Sequence, residues 1–182
     1  MDNYGDSGNN SPDPRAGPLC GKMRVIATVT VIIVIITTVI ITGCTPGAPP
    51  GVDRDQLDAA VSRAIGDPNS CLLIARRGGG GVVYRYNTAT ACAREFPVCD
   101  RPGDGKLSAL LKATAADGRP RMLSCNSQAD ASRGVGWAAG PIVGTDLVYA
   151  AMMEGDRAFP GRMMAERLTG AFRKAKVSKP IS

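Results

Sequence analysis

The sequence contains no histidine among its 182 residues, and this absence limits the chemistry that the chain can perform. A Ser-His-Asp triad, a Cys-His pair and an HExxH zinc site each depend on an imidazole side chain. These three classes of site are therefore excluded. Aromatic residues are also scarce, at 4% of the chain, so any hydrophobic core must be built mainly from Val, Ile, Leu, Met and Ala.

Negative charge is in the minority, because 22 Lys and Arg stand against 16 Asp and Glu. Residues 1–44 contain three cations and three carboxylates, so the whole net charge of +6 belongs to residues 45–182. The Arg residues there are not interleaved with aromatic residues as they are in nucleic-acid surfaces, so we expect no nucleic-acid partner. Anionic lipid headgroups or wall polymers are the expected counterparts of this charge.

The amino-terminal part of the chain has a strongly biased composition. Residues 1–22 are rich in Asn, Gly, Ser and Pro and are predicted to be a disordered leader. Residues 23–43 are predicted to be a signal peptide or a membrane anchor helix, because the 17 residues Val25–Ile41 carry no charge. A helix of this length spans about 26 Å, whereas a bilayer core of about 30 Å usually takes about 20 apolar residues. Length therefore leaves both alternatives open.

The end of the apolar run carries a short motif, Ile41-Thr42-Gly43-Cys44. This motif resembles the lipobox of bacterial lipoproteins. The resemblance implies transfer of a lipid to the Cys44 sulfur and cleavage just before this residue, so that residues 44–52 form a lipidated, flexible tether. Translation from Met23 would give a compact signal of this type, whereas translation from Met1 favours an uncleaved anchor.

Both alternatives place the rest of the chain on the same side of the membrane. Lys22 and Arg24 precede the apolar run, and three aspartates between residues 53 and 58 follow it. Positively charged residues stay on the cytoplasmic side of a membrane segment. We therefore expect residues 53–178 to form an extracytoplasmic domain at the cell membrane, followed by a short tail over residues 179–182.

Four of the six cysteines fall in the expected domain: Cys71, Cys92, Cys99 and Cys125. An even number of cysteines in an exported domain predicts two disulfides. The short loop between them favours Cys92 with Cys99, which leaves Cys71 with Cys125. The alternative pair Cys71–Cys92 stays open, because a predicted hairpin brings these two positions near each other. A zinc site is disfavoured, since the closest spacing, C-x6-C, is wider than a zinc knuckle.

Hydrophobic periodicity predicts an α+β domain with a five-stranded, mainly antiparallel sheet covered by helices, in the order α-β-β-α-β-β-β-α. We expect helices over residues 53–65, about 106–116 and from 161 onwards, and strands over residues 71–75, 82–86, 121–125, 135–139 and 147–153. The last strand is apolar throughout and should be central. Asp104 is expected to cap the second helix. The glycines over residues 78–81 predict a hairpin turn, since no helix follows to complete a phosphate-binding loop.

Three strings resemble the sheet domain of the penicillin-binding and β-lactamase-type serine hydrolases: Val83-Tyr84-Arg85-Tyr86-Asn87, Phe96-Pro97-Val98-Cys99 and Gly136-Trp137-Ala138-Ala139-Gly140. The chain has neither Ser-x-x-Lys nor Lys-Thr/Ser-Gly, the motifs that carry the chemistry of those enzymes. The resemblance therefore implies the fold without the active site, and we expect no catalytic residues. The same order of elements also resembles roadblock and profilin-like domains, which bind partners.

These observations predict a membrane-tethered extracytoplasmic lipoprotein that serves as a non-enzymatic binding or accessory domain of the cell envelope. Its partners would be the membrane and an envelope protein or an anionic component of the wall or lipid, and we expect neither a cofactor nor a metal site. One alternative is an atypical serine hydrolase of the penicillin-binding type, using Ser108 with Lys106 or Lys112. Another alternative is a single-pass membrane-anchored subunit of an envelope complex.

Overall fold

The computed structural model describes residues 46–178, which belong to the second of two compact units of the chain, beginning at Gly43. The leader, the apolar run, Cys44 and the predicted tail lie outside the described residues. None of the helices in the described part combines the length and the apolar character that a membrane span requires. Residues 46–52, predicted to belong to the tether, lie against the domain: Pro49 is buried, and Arg54 Nη1 donates to the Pro46 carbonyl oxygen over 2.9 Å.

Four helices and seven strands occur in the described residues and confirm the predicted α+β class. In chain order they are α1 (Arg54–Ile65), β1 (Ser70–Arg76), β2 (Val82–Tyr86), α2 (Ala89–Ala93), β3 (Glu95–Pro97), β4 (Asp104–Lys106), α3 (Leu107–Asp117), β5 (Arg121–Asn126), β6 (Gly134–Pro141), β7 (Leu147–Gly155) and α4 (Gly161–Lys174). The predicted order holds once α2, β3 and β4 are set aside. These three elements have only five, three and three residues, too few to show a hydrophobic period.

Local sequence explains where the helices begin and end. The Asp53 side chain accepts a hydrogen bond from the Gln56 N–H over 2.8 Å and caps α1. Gly118, with a φ of 68°, ends α3 in the left-handed conformation that glycine adopts without strain. The predicted cap of α3 is wrong: Asp104 lies in β4, and because the ladder with β3 extends to Lys106, α3 begins directly after it without a side-chain cap.

β7 is the central strand of a five-stranded antiparallel sheet with the order β2-β1-β7-β6-β5. All nine of its residues are buried, which agrees with the prediction from its apolar sequence. Its register is fixed on both sides, since Ala151 lies opposite Leu72 of β1 and Ala138 of β6. β3 and β4 form a separate two-stranded hairpin outside this sheet.

Helices cover both faces of the sheet and create two hydrophobic cores. On the first face α1 and α4 pack over Leu72 and Ile74, and on the second face α3 packs over Leu73 and Met152. Successive side chains along a strand point to opposite faces, so the neighbours Leu72 and Leu73 belong to different cores. Both faces of the central strands are thus covered, so residues 71–75 and 147–153 are apolar at consecutive rather than alternate positions. Burying one such side chain contributes about 1.5–3 kcal/mol.

Two disulfides cross-link the domain: Cys71–Cys92 joins β1 to α2, and Cys99–Cys125 joins the loop after β3 to β5. The number of disulfides and the alternative pair Cys71–Cys92 agree with the sequence. The preferred pairing, Cys92 with Cys99 and Cys71 with Cys125, is wrong, because β3 runs extended between Cys92 and Cys99 and carries Cys99 towards β5. A four-thiolate zinc site is excluded, since these sulfurs are bonded to one another.

Glu154, near the end of β7, is a buried carboxylate with 3% of its surface exposed. Arg133 Nε and Nη2 donate to its two oxygens over 2.7 and 2.8 Å, and Ser127 Oγ donates to Oε1 over 3.0 Å. Arg94 Nη2 lies 3.9 Å from Glu154 Oε2. The hydrogen bonds from Arg133 hold the pKa of the Glu154 carboxyl below its usual range. This carboxylate therefore joins the loop between β5 and β6 and the residue before β3 to the central strand.

We expect Glu154→Gln to lower the free energy of unfolding by about 2 kcal/mol at neutral pH, because Arg133 loses a charged partner that it contacts twice. The folded-state pKa of this carboxyl lies below the unfolded value of about 4.3. Its contribution is therefore present above that value and is lost as the pH falls through the folded-state pKa. Urea denaturation should show a smaller loss of stability between about pH 6 and about pH 3 in the variant than in the wild type.

Glu166→Gln is the matched control for this measurement. Glu166 is exposed on α4 and pairs with Arg162 at 3.4 Å, and an exposed ion pair of this kind contributes less than about 1 kcal/mol. Equal losses in the two variants would contradict the role assigned to Glu154.

Candidate functional site

The β3–β4 hairpin, α3 and the edge strand β5 enclose a groove on the second face of the sheet. This hairpin groove has a volume of about 140 Å³ and is lined by Val98, Asp100, Arg101, Gly105, Lys106, Ala109, Leu110, Ala113, Arg121, Leu123 and Trp137. Because β5 lies at the edge of the sheet, the groove opens to solvent along this strand.

Contacts to β5 and β6 hold the hairpin in place beside the groove. The disulfide from Cys99 fastens the hairpin turn to β5. Trp137 Nε1 on β6 donates to the Pro97 carbonyl oxygen over 2.8 Å. Within the hairpin, a Cβ atom at Gly105 would overlap the Val98 side chain, so glycine is needed for the two strands to approach this closely. The hairpin is therefore positioned by one covalent bond, one partly buried hydrogen bond and the packing of Phe96 into the second core.

The floor of the hairpin groove is apolar. Trp137, the single tryptophan of the chain, is 2% exposed and lies on β6 opposite Leu123 of β5. Its N–H group already has a partner, so the small part of the ring that borders the groove is apolar. Leu110 and two alanines of α3 form the facing wall. Aromatic and aliphatic surfaces arranged in this way bind apolar groups.

The rim of the hairpin groove carries three cations and one carboxylate. Each cation has an acidic partner: Arg101 Nη1 lies 3.1 Å from Asp100 Oδ1, Lys106 Nζ lies 3.1 Å from Glu95 Oε1, and Arg121 Nη2 lies 2.6 Å from Asp117 Oδ2. Such pairs near the surface contribute less than about 1 kcal/mol each. An anionic group entering the groove can therefore replace Asp100 or Glu95 at little cost, whereas Asp117 is held by hydrogen bonds from both Nη atoms of Arg121.

Arg121 is the most firmly held of the three cations. Its Nη1 atom donates to Thr114 Oγ1 over 3.2 Å, to Asp117 Oδ1 over 3.0 Å and to the Arg119 carbonyl oxygen over 3.0 Å. Hydrogen bonds from Arg121 hold the pKa of the Asp117 carboxyl well below its usual range, and the same bonds raise the pKa of Arg121. The guanidinium is thus fixed at one end of the groove as a permanent positive charge.

The chemistry of the lining suits the binding of an amphiphile. The lining holds no hydroxyl, thiol or imidazole group, so it offers apolar and ionic contacts. A ligand with an apolar part and a neighbouring anionic group would place the first against Trp137 and the second beside Arg121.

The four disulfide cysteines predicted from the sequence lie within the described residues, and Cys44 lies outside them. Only Cys99 and Cys125 are near the hairpin groove, where they fasten one of its walls. Across residues 46–178, no group of three His, Cys, Asp or Glu side chains is placed to hold a metal ion.

In the hydrolase alternative, Lys106 is held in an ion pair, whereas Ser108 and Lys112 lie four residues apart on one face of α3. Lys106 Nζ lies 3.1 Å from Glu95 Oε1, so its ammonium group is directed to a carboxylate of β3. Ser108 and Lys112 are both exposed on α3. A serine that acts as a nucleophile needs a base held against its hydroxyl group, and the ion pair with Glu95 directs Lys106 elsewhere.

Sequence analysis did not find the hairpin groove. For Trp137 the sequence favours a packing role over a ligand platform, and it places Arg121 and Leu123 only in a strand. A usable signal was the two-residue period of β5, which puts Arg121, Leu123 and Cys125 on one face. This face becomes a groove only because the disulfide from Cys125 to Cys99 brings the β3–β4 hairpin against it. The sequence alone does not show which cysteine pairs with Cys125.

Removing the second disulfide in a Cys99→Ser/Cys125→Ser variant should loosen the hairpin, because only the Trp137 hydrogen bond and the packing of Phe96 then hold it against the sheet. We expect Trp137 fluorescence of the folded variant to move to longer wavelength and to be quenched more strongly by iodide. The closed loop of 26 residues predicts a loss of about 3 kcal/mol in the free energy of unfolding.

A Cys71→Ser/Cys92→Ser variant is the matched control, since its closed loop of 21 residues predicts a similar loss of about 3 kcal/mol. Its Trp137 emission should stay unchanged. If both variants keep the wild-type emission, the disulfide does not position the hairpin.

Comparison with known proteins gave no match: no family model, no curated protein and no solved structure is significantly similar to the chain.

Proposed function

We propose that the chain is a membrane-tethered extracytoplasmic lipoprotein whose domain binds another component of the cell envelope and catalyses no reaction. The observation that carries the proposal is the pairing of all four cysteines of residues 46–178 in two disulfides. Disulfides persist in exported proteins and are rare in the cytosol. The two disulfides therefore favour an extracytoplasmic location for the domain.

The amino-acid sequence that precedes the domain supports the proposal of a lipid tether. The basic pair Lys22 and Arg24, the uncharged run Val25–Ile41 and Cys44 follow one another in the order of a lipoprotein signal. One acyl chain binds a membrane only marginally, whereas two or more anchor a protein stably, and the lipobox resemblance implies such multiple acylation at Cys44. Only Thr45 separates Cys44 from Pro46. The Pro46 carbonyl oxygen accepts a hydrogen bond from Arg54 of α1. The domain would therefore stay close to the lipid surface.

A binding role is supported by the hairpin groove. Its apolar floor and cationic rim suit a ligand that combines an apolar part with an anionic group, and its lining holds no hydroxyl, thiol or imidazole group. Envelope components of this type include lipid-linked polymers and acidic segments of other envelope proteins. The net charge of +6 favours such anionic partners by long-range attraction.

We expect Cys44→Ser to abolish both lipid attachment and cleavage when the full chain is expressed in a bacterium. Cys20→Ser changes the other cysteine outside the domain and should leave both unaffected. Incorporation of a palmitate analogue and the intact mass of the membrane-extracted protein measure the two effects. The wild-type mass should correspond to residues 44–182 with lipid and with two disulfides.

Two results would contradict parts of this proposal. A full-length, unlipidated chain in the membrane with both disulfides formed would favour the single-pass anchored subunit instead of the lipoprotein. A dissolved chain in the cytosol with four reduced domain cysteines would overturn the extracytoplasmic location itself.

The groove can be tested with 8-anilinonaphthalene-1-sulfonate, a probe that combines an apolar ring system with an anionic group. We expect Leu123→Ser to weaken its binding at least about threefold, because the floor loses roughly 1–2 kcal/mol of apolar contact. Met122→Ser is the matched control, since Met122 is the neighbouring residue on β5 and lies on the other face of the sheet, 47% exposed. Energy transfer from Trp137 to the bound probe reports the site, and equal weakening in both variants would argue against it.

A further inference from the structure

A second groove lies on the first face of the sheet, between α1 and α4. This α1–α4 groove has a volume of about 160 Å³; three alanines and Gly170 form its floor, and Arg63, Arg167 and Lys174 form its walls. A Cβ atom placed on Gly170 would meet no atom within 4 Å, so the floor is open. The groove therefore combines small residues below with three long cationic side chains around them.

The three cations of this groove differ from those of the hairpin groove in having no acidic partner within the described residues. None of the ion pairs among residues 46–178 includes them, and no carboxylate belongs to the lining. Glu166, the neighbour of Arg167 in sequence, pairs with Arg162 at 3.4 Å. The Arg167 guanidinium stacks 4.2 Å above the Phe159 ring, which orients it and leaves its N–H donors for a ligand. The positive charge here is thus concentrated and not neutralised locally, and it favours an anion.

One end of the α1–α4 groove is close to the point where the tether joins the domain. Pro49, Pro50, Lys176 and Val177 line a common cleft, and Lys174 precedes Lys176 by two residues in the chain. Pro49 is five residues after Cys44, and five residues span at most about 18 Å. The cleft, and with it the carboxyl end of α4, therefore stays within this reach of a lipid attached to Cys44.

We infer that the α1–α4 groove holds the phosphate group of an anionic phospholipid and keeps the domain seated on the bilayer to which it is tethered. This inference rests on the proposed lipoprotein. The forked donors of two arginines match the oxygens of a phosphate, and a lysine adds a point charge beside them. The short tether raises the effective concentration of headgroups at the groove. Three cationic side chains are therefore enough to bind a headgroup. A free phosphate ion would satisfy the same groups, but it lacks this advantage.

The inference is tested by chemical footprinting of the lipidated full chain in vesicles. We expect Lys174 to react with a membrane-impermeant acylating reagent about threefold more slowly in vesicles of phosphatidylcholine with phosphatidylglycerol than in vesicles of phosphatidylcholine alone, because headgroups attract and cover cations near the surface. High salt should remove this protection. Lys112, exposed on α3 at the other face of the sheet, is the internal control and should react equally in both vesicles.

Two double variants test whether the protection of Lys174 depends on the cations of the α1–α4 groove. Arg63→Gln/Arg167→Gln should abolish the protection of Lys174, whereas Arg77→Gln/Arg119→Gln should leave it unchanged. The second variant removes the same amount of charge from the α3 side of the domain, where the Arg77 guanidinium lies beside Gly118. Equal effects of the two variants would show that net charge, and not the groove, attracts the lipid.

Three further outcomes would overturn the assignment. Equal protection of Lys174 and Lys112 would show that the membrane does not prefer the α1–α4 face of the domain over the α3 face. Protection of Lys174 by inorganic phosphate in phosphatidylcholine vesicles, to the same extent, would make a soluble phosphate compound the ligand instead of the lipid. An unprotected Lys174 on a chain that floats with the vesicles contradicts this groove alone, whereas a chain that does not float contradicts the proposed tether.

Discussion

The burial of β7 between two layers of helices is the constraint on which the rest of the domain depends. All nine residues of this strand are buried, and their side chains alternate between the two faces of the sheet. Both cores depend on this strand, because each uses every second residue of it. The carboxylate of Glu154 extends this dependence to the surface, since it ties two peripheral segments to the end of β7.

The two cores give the domain two unlike surfaces. On the α3 side, the hairpin groove has an indole floor and cations that are already paired with carboxylates. On the other side, the α1–α4 groove has a floor of small residues and cations without acidic partners among residues 46–178. The first arrangement suits a ligand that contributes apolar surface, and the second suits a compact anion. The two faces of the domain therefore differ in the chemistry that they present at the surface.

Much of the fold could be predicted because continuous apolar runs mark the buried strands. The strands over residues 71–75 and 147–153 were placed within two residues, and the central position of the latter followed from its composition. The hairpin of β3 and β4 was not predicted, since three-residue strands carry no period. The disulfide pairs were misjudged because sequence proximity does not show the direction of β3 between Cys92 and Cys99. For Trp137 packing was favoured over a ligand-binding role, because its place in the groove depends on the position of the β3–β4 hairpin.

The three layers of helix, sheet and helix also determine how far the hairpin groove would stand from a membrane surface. Helix layers are roughly 10 Å thick and pack roughly 10 Å from a sheet. With α1 and α4 resting on lipid headgroups, the mouth of the hairpin groove would stand roughly 20 Å above them on the far side of the sheet. A molecule buried in the bilayer does not extend that far. The occupant of the hairpin groove would then have to rise from the membrane or reach down from the wall, so the domain would act as a spacer that selects partners by their distance from the lipid.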